Sequence, residues 1–264
     1  MKLTTNSLGT WKLSQATGGA GIGGYDDNMP RAFEEAWDTG VGSGVDLAKG
    51  VGSSTTLSWT SPTVAGTSLQ FAVAPRNDGA SISDKASGGS TDALRGQGFD
   101  VVLDTSQDFG AFGADLFVGY SVTEQDPTSG TAGGDQIKDR EEGVAGITLT
   151  VGPIKAGWQR SVEYTGLNQV ATDVFGYKNT SFGVSFNVND NLSVSYAEFE
   201  SLRGLVEGTS GIARPVTTIE SIQAAYTVGG VSLKVAMNEL DNGTYTTGTA
   251  NDADSSLVLL SLAF

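Results

Sequence analysis

Six carboxylates lie close together between residues 23 and 52, and they are the best candidates for chemistry in this chain. The segment has only two cationic side chains, Arg31 and Lys49, so its local charge is −4. The six acidic residues are Asp26, Asp27, Glu34, Glu35, Asp38 and Asp46. Carboxylate oxygens attract cations and are the ligands that Ca²⁺ prefers. The segment predicts a surface that concentrates cations or a calcium site, and an exposed acidic loop is the alternative.

Enzymatic chemistry has little support in the composition. The chain has no Cys and no His, which excludes disulfides, thiolate sites and a Ser-His-Asp triad and removes the commonest metal ligand. Residues 19–24 match the spacing of a dinucleotide-binding loop, but that motif needs a helix to open directly on the loop. The polar stretch Tyr25–Pro30 follows instead. We therefore predict no enzyme and no cofactor, apart from Ca²⁺ at the acidic segment.

The composition favours strands and turns over helices. The chain has 264 residues with 37 Gly and only 17% charged residues. No apolar stretch approaches the roughly 20 residues of a transmembrane helix, and the mean hydropathy is −0.10. A hydropathy average does not detect the strands of a membrane barrel, because apolar lipid-facing residues alternate with polar lumen-facing ones.

The net charge and the N-terminal residues restrict the possible partners and the cellular compartment of the protein. A net charge of −15 argues against nucleic acid and against anionic membrane surfaces as partners. The first six residues lack the apolar core of a signal peptide. Either the chain stays in the cytoplasm or the given sequence is not the whole precursor.

Twelve segments alternate apolar and polar side chains in the manner of β-strands. In the last one, Val258, Leu260 and Leu262 share a face with Phe264. The opposite face of the strands carries Thr, Ser, Gly, Gln and Asn, together with a few charges. Those charges would be costly beside lipid but stable in a wet lumen. The predicted lumen-facing charged residues are Lys12, Asp100, Asp104, Asp115, Lys155 and Lys234.

The links between these segments alternate strictly in length. Short links fall at Pro62–Gly66, Ser106–Gly110, Gly152–Pro153, Asn189–Asp190 and Gly229–Gly230, and long links at 15–52, 75–95, 123–141, 165–177, 201–215 and 241–253. Outer-membrane barrels have short turns at one rim and long loops at the other, whereas Greek-key sandwiches mix their loop lengths. We predict a single all-β domain over residues 1–264, a transmembrane antiparallel up-and-down β-barrel of about twelve strands. A soluble β-sandwich is the alternative.

Two stretches resemble a known family. The terminal Leu-Ser-Leu-Ala-Phe ending at Phe264 is similar to the aromatic signature of barrels that insert into the outer membrane. Residues 7–14, Ser-Leu-Gly-Thr-Trp-Lys-Leu-Ser, resemble the porin strand that leads into the constriction loop. Over nearly its full length the chain resembles Gram-negative general porins, most closely the alphaproteobacterial type.

This resemblance implies a sixteen-stranded, trimeric barrel whose third loop folds into the pore. Counting back from Phe264, the twelve strands match strands five to sixteen, and residues 15–52 match the third loop. The implied pore-constriction residues are Asp26, Asp27, Arg31, Glu34, Glu35 and Asp38. The first four strands and the signal peptide of the family are absent from the sequence. The chain is therefore either a partial sequence or a barrel of twelve strands that closes directly.

The acidic segment also predicts a local structure and a function. Pro30–Trp37 is compatible with a short helix, with Pro in its first turn and Phe33 and Trp37 on one side. We expect a passive diffusion channel of the outer membrane for small hydrophilic solutes and ions, with modest cation preference. Outer-membrane lipid and two further copies of the chain, in a homotrimer, are the expected partners. The alternatives are a barrel serving as an adhesin or anchor, and a soluble extracellular β-sandwich that binds carbohydrate.

Overall fold

The strands form one antiparallel sheet in which every strand pairs with its neighbours in sequence. The computed structural model describes residues 1–15, 19–51, 54–75, 95–125, 138–166, 174–205 and 215–263. The thirteen strands are β1 (Lys2–Thr5), β2 (Gly9–Ser14), β3 (Thr56–Thr60), β4 (Thr67–Ala74), β5 (Arg95–Asp108), β6 (Gly113–Gln125), β7 (Arg140–Val151), β8 (Ile154–Tyr164), β9 (Val174–Asn187), β10 (Leu192–Leu205), β11 (Val216–Val228), β12 (Val231–Asp241) and β13 (Ala253–Leu262). The predicted all-β, antiparallel, up-and-down architecture is confirmed.

The strand β1 was not predicted. It pairs with β2 in a short hairpin, with Leu3 opposite Trp11, so the described residues form thirteen strands rather than twelve. An odd number makes β1 and β13 run in the same direction. The direct antiparallel closure considered for twelve strands therefore does not apply, and in the described ranges no pairing joins these two edges.

The two faces of the sheet differ as the alternation predicts. On β8, Trp158 and Val162 are 41% and 47% exposed, whereas Gln159 and Ser161 are each 2% exposed. We call the face with the exposed apolar side chains the outer face and the opposite one the inner face. The same alternation of exposed and buried positions continues on β6, β7 and β10.

Short and long links alternate along the whole sheet, and the β1–β2 turn adds a further short one. Several strands extend further toward the long links than the sequence suggested; β7, for example, begins at Arg140. No helix among the described residues is long and apolar enough to cross a membrane. Phe264, the predicted membrane-insertion signature, lies outside the described residues.

The buried apolar residues lie between the inner face and residues 19–51, which connect β2 to β3. We call residues 19–51 the inner loop. One cluster joins Ala36, Val41 and Leu47 of the loop to Phe199 on β10 and Ile219 on β11. Two further clusters place loop residues against β4 and against β5, β6 and β7. A sandwich would place its core between two sheets; here one sheet packs on its own loop, so the β-sandwich alternative is wrong.

Candidate functional site

The inner loop follows the wall in an extended path instead of forming the predicted helix. Backbone N–H groups of Ala32 and Phe33 donate to Ser195 Oγ and Gln223 Oε1, both at 2.9 Å. These donors are thus bonded to the sheet and not to carbonyls one turn back. The prediction of a helix over Pro30–Trp37 is wrong; a single 3₁₀ turn spans Ala36–Asp38.

Amide side chains of the wall hold the outgoing limb of the loop. Gln159 on β8 accepts from the N–H of Asn28 at 3.0 Å and donates to the carbonyls of Tyr25 and Asp26 at 2.8 and 2.7 Å. Gln223 on β11 donates to the carbonyl of Glu34 at 2.6 Å. The loop therefore runs across the inner face from β8 to β11 with its backbone bonded to side chains.

Glycines on the inner face leave room for the loop. A Cβ on Gly119 of β6 would lie 2.7 Å from Ile22, and one on Gly157 of β8 would lie 2.7 Å from Pro30. A Cβ on Gly183 of β9 would lie 2.9 Å from the carbonyl oxygen of Pro30. Separations under about 3 Å are sterically excluded, so larger residues at these positions would displace the loop.

The return limb ends at charged groups. The N–H groups of Lys49 and Gly50 donate to the two carboxylate oxygens of Glu142 on β7, each at 2.9 Å. Arg140 contacts Glu142 at 3.1 Å and Glu163 on β8 at 3.0 Å, and all three side chains are almost fully buried. Buried charges are costly unless they are paired, and here one guanidinium pairs with both carboxylates while Glu142 also holds the loop.

Tyr245 joins the inner loop to the link between β12 and β13. Its hydroxyl accepts from the N–H of Asp46 at 3.2 Å and lies 2.8 Å from the Ser201 hydroxyl. Burial raises the pKa of Tyr245. Its own φ of 58°, with φ values of 54° for Asn242 and 56° for Thr244, is a left-handed conformation that non-glycine residues adopt rarely. Contacts of the loop therefore accompany local backbone strain here.

Asp26 and Asp27 lie against the wall. Asp27 is 8% exposed and accepts from the N–H of Met29 at 3.1 Å. Burial raises the pKa of Asp27 to about 6 and also raises the pKa of Asp26. The Arg31 guanidinium donates to the carbonyls of Asp27 and Met29 at 3.4 and 3.2 Å. The carboxylates of Asp26 and Asp27 thus stabilise the conformation of the loop by accepting its backbone N–H groups. They also contribute to the predicted negative charge of the loop.

Glu34, Glu35 and Asp38 bring carboxylate oxygens within 4.8 Å of one another. The hydrogen bond with Glu35, then burial, raises the pKa of Glu34. Burial acts to raise the pKa of Glu35 as well, but the hydrogen bond from Glu34 and the Arg31 guanidinium outweigh it and leave that pKa lowered. Arg31 also forms an ion pair with Glu35. The three carboxylates are close enough to hold one cation, and the calcium site stays a prediction.

The six charged strand residues predicted for the lumen all project from the inner face; they are Lys12, Asp100, Asp104, Asp115, Lys155 and Lys234. Asp100 is 2% exposed and contacts the loop. Lys155 lies 4.0 Å from Asp115, and the ammonium of Lys234 lies 5.4 Å from the ring centre of Phe33. Burial and the neighbouring Asp104 raise the pKa of Tyr25 to about 12. The exposure of these six charged strand residues to a conducting lumen stays a prediction.

Sequence reasoning missed the groups that hold the loop. Gln159 and Gln223 stood on the polar face of predicted strands, but nothing local distinguished them from solvent-facing amides. Glu142 and Arg140 fell in or beside a predicted long link. Their spacing of two along a continuing alternation was the available signal that β7 starts earlier.

Comparison with known proteins identifies the fold. No protein-family model matches the chain, and no curated protein matches its sequence. Solved structures do match: an anion-selective porin from Comamonas acidovorans has 13% identity and a TM-score of 0.58, covering 100% of this chain and 76% of that one. The outer membrane channel DcaP of Acinetobacter baumannii has 12% identity and a TM-score of 0.58, covering 96% and 71%.

The chain has the fold of outer-membrane porins. OmpF of Salmonella typhi matches this porin fold with 13% identity and a TM-score of 0.55, over 81% of this chain and 62% of that one. The chain thus spans less than two thirds of the length of OmpF. At these identities the likeness establishes the fold, and the activity must be argued from the residues.

Proposed function

We propose that this protein is an outer-membrane channel for passive diffusion of small hydrophilic solutes and ions. The outer face supports a membrane location, because large apolar side chains remain exposed along it. Leu233, Ile222 and Val258 are 42%, 63% and 63% exposed. Contiguous exposed apolar surface is unusual on soluble proteins, while an apolar outward band is the rule for membrane barrels.

The observation that carries the proposal is the acidic inner loop on the polar inner face. Its backbone is bonded to β8, β10 and β11 by neutral side chains and to β5 and β7 by carboxylates. The side chains of Glu34 and Asp38 remain partly or fully exposed on the loop. A polar wall carrying an inward acidic loop is suited to an aqueous passage with a narrow, charged point. In this proposal residues 15–52 form the constriction.

A planar lipid bilayer tests the channel directly. Purified protein should produce stable conductance steps, and heat-denatured protein in the same detergent serves as the control. If protein that is folded and inserted in the bilayer produces no conductance steps, the channel proposal is wrong. An adhesin or anchor, the remaining alternative, would insert without conducting.

The proposed cation preference comes from the charges of this chain alone. The loop balance of −4 and the total of −15 have the same sign, and carboxylates at a narrow point focus the field on passing ions. One compared structure is an anion-selective porin, so the fold itself gives no preference for either sign. Outer-membrane lipid as the surrounding phase, assembly as a homotrimer and membership in the alphaproteobacterial porins belong to the same proposal.

A further inference from the structure

A single inner-face carboxylate, Asp100 on β5, contacts both ends of the inner loop. The N–H of Ile22 donates to Oδ2 at 2.9 Å. The N–H of Val51 lies 3.2 Å from Oδ2 and 3.3 Å from Oδ1. Asp100 is 2% exposed, so these donors replace water around its charge. Residues 22 and 51, near the two ends of the loop, are thereby held at one side chain.

Glycine flanks both contacts. A Cβ on Gly21 would lie 1.9 Å from Asp100 Oδ2, and one on Gly50 would lie 2.4 Å from the same oxygen. Both glycines have positive φ, 59° and 52°, a conformation in which side chains are strained. The carboxylate therefore sits in a recess that only a backbone without side chains can form, on both limbs of the loop.

The middle of the loop is held differently. Asn28, Ala32 and Phe33 donate to neutral acceptors on Gln159, Ser195 and Gln223. The donors at the two ends of the loop converge on one carboxylate, whereas Asn28, Ala32 and Phe33 each meet a different side chain. Asp100 is thus the group that the two ends share.

We propose that Asp100 is the positioning residue of the inner loop, holding its two ends together and so fixing the aperture that the loop leaves. This inference rests on the proposed function as a channel. An amide in place of the carboxylate turns one acceptor oxygen into an N–H₂ donor that faces backbone donors. The N–H groups of Ile22 and Val51 then meet a weaker acceptor, and the two ends of the loop move more freely while its middle stays bonded to Gln159 and Gln223.

Single-channel recording of Asp100→Asn tests this consequence. We expect the variance of the open-channel current to rise roughly twofold or more, as a charge-assisted bond is replaced by a weaker one or lost. Asp115→Asn is the matched charge control, because it removes a carboxylate from the same face near Lys155 and not near the loop ends. It should retain the wild-type variance.

A second variant disrupts the same contact by a substitution in the loop. Gly21→Ala should also raise the variance of the open-channel current, because its Cβ would displace the Asp100 carboxylate. Gly42→Ala is the control: its φ is also positive, 63°, but nothing lies within 4 Å of its Cβ. Combining Asp100→Asn with Gly21→Ala should add little to either change alone, as expected for two residues in one contact.

A readout independent of conductance separates this inference from the channel proposal. The chain has no Cys, so a spin label on Asp38→Cys reports the loop alone in folded, detergent-solubilised protein. Label mobility should rise in the Asp100→Asn background and stay unchanged with Asp115→Asn. If wild-type protein does not conduct but mobility rises, the channel fails and Asp100 still positions the loop. Unchanged mobility and variance in Gly21→Ala would overturn the inference, even if Asp100→Asn did not fold.

Discussion

Removing the two carboxylates of the acidic cluster that are not paired with Arg31 should abolish most of the cation preference. The relevant variant is Glu34→Gln with Asp38→Asn. Glu35 stays, because it is paired with Arg31. Neutralising Glu35 as well would leave an unpaired guanidinium at the same place and push the selectivity toward anions.

The size of the effect follows from distance and screening. A charge about 10 Å from a passing ion interacts by about 0.4 kcal/mol in water, and one Debye length of screening at 0.1 M salt lowers this to about 0.15 kcal/mol. Two such charges enrich cations about 1.7-fold and deplete anions equally, a cation-to-anion permeability ratio of about 3. In the variant this ratio should fall to about 1.

Reversal potentials in a salt gradient measure this ratio. The wild-type ratio should approach unity near 1 M salt, where the Debye length is about 3 Å. Glu239→Gln with Asp254→Asn is the matched control, because it removes two carboxylates from the outer face and changes the net charge equally. If both double variants shift the reversal potential to the same extent, or neither does, the acidic cluster does not line the passage.

Three further predictions concern pH, calcium and assembly. Burial raises the pKa of Asp27 to about 6, so its ionisation opposes folding above that pH and has no such effect below the ordinary value near 4. Asp27→Asn should raise the thermal midpoint in detergent more at pH 7.5 than at pH 4.5; equal shifts would contradict this account. Micromolar to millimolar Ca²⁺ should lower the cation preference by occupying Glu34, Glu35 and Asp38, and the Glu34→Gln, Asp38→Asn variant should not respond. A homotrimer should run as one slow band on an unheated gel, and a monomer by light scattering in mild detergent would refute it.

The faces of the sheet were predictable because side-chain alternation is a local property. On β6, β7, β8 and β10 the exposed side chains are those that the alternation indicates, whereas β13, at the edge of the sheet, exposes both faces. The strand β1 was missed since Leu3 is its only apolar residue, and its pairing with Trp11 comes from β2. A single apolar position gives no period to detect.

The site was predictable in its charges and not in its contacts. The acidic residues of the loop follow from composition alone. Their partners do not, because Asn28 bonds Gln159 and Phe33 bonds Gln223 across separations of 131 and 190 residues. The prediction of a helix over Pro30–Trp37 was wrong for the same reason. Side chains distant in sequence accept the backbone N–H groups that would form hydrogen bonds within a helix.

The contacts of the inner loop also fix an order of assembly. The loop precedes β3 in the chain, yet its outgoing limb bonds Gln223 on β11, and Asn238 on β12 donates to the carbonyl of Thr39 at 3.3 Å. These partners exist as a surface only after the late strands have joined the sheet. The segment between residues 33 and 39 can therefore complete these contacts only after β11 and β12 have joined the sheet.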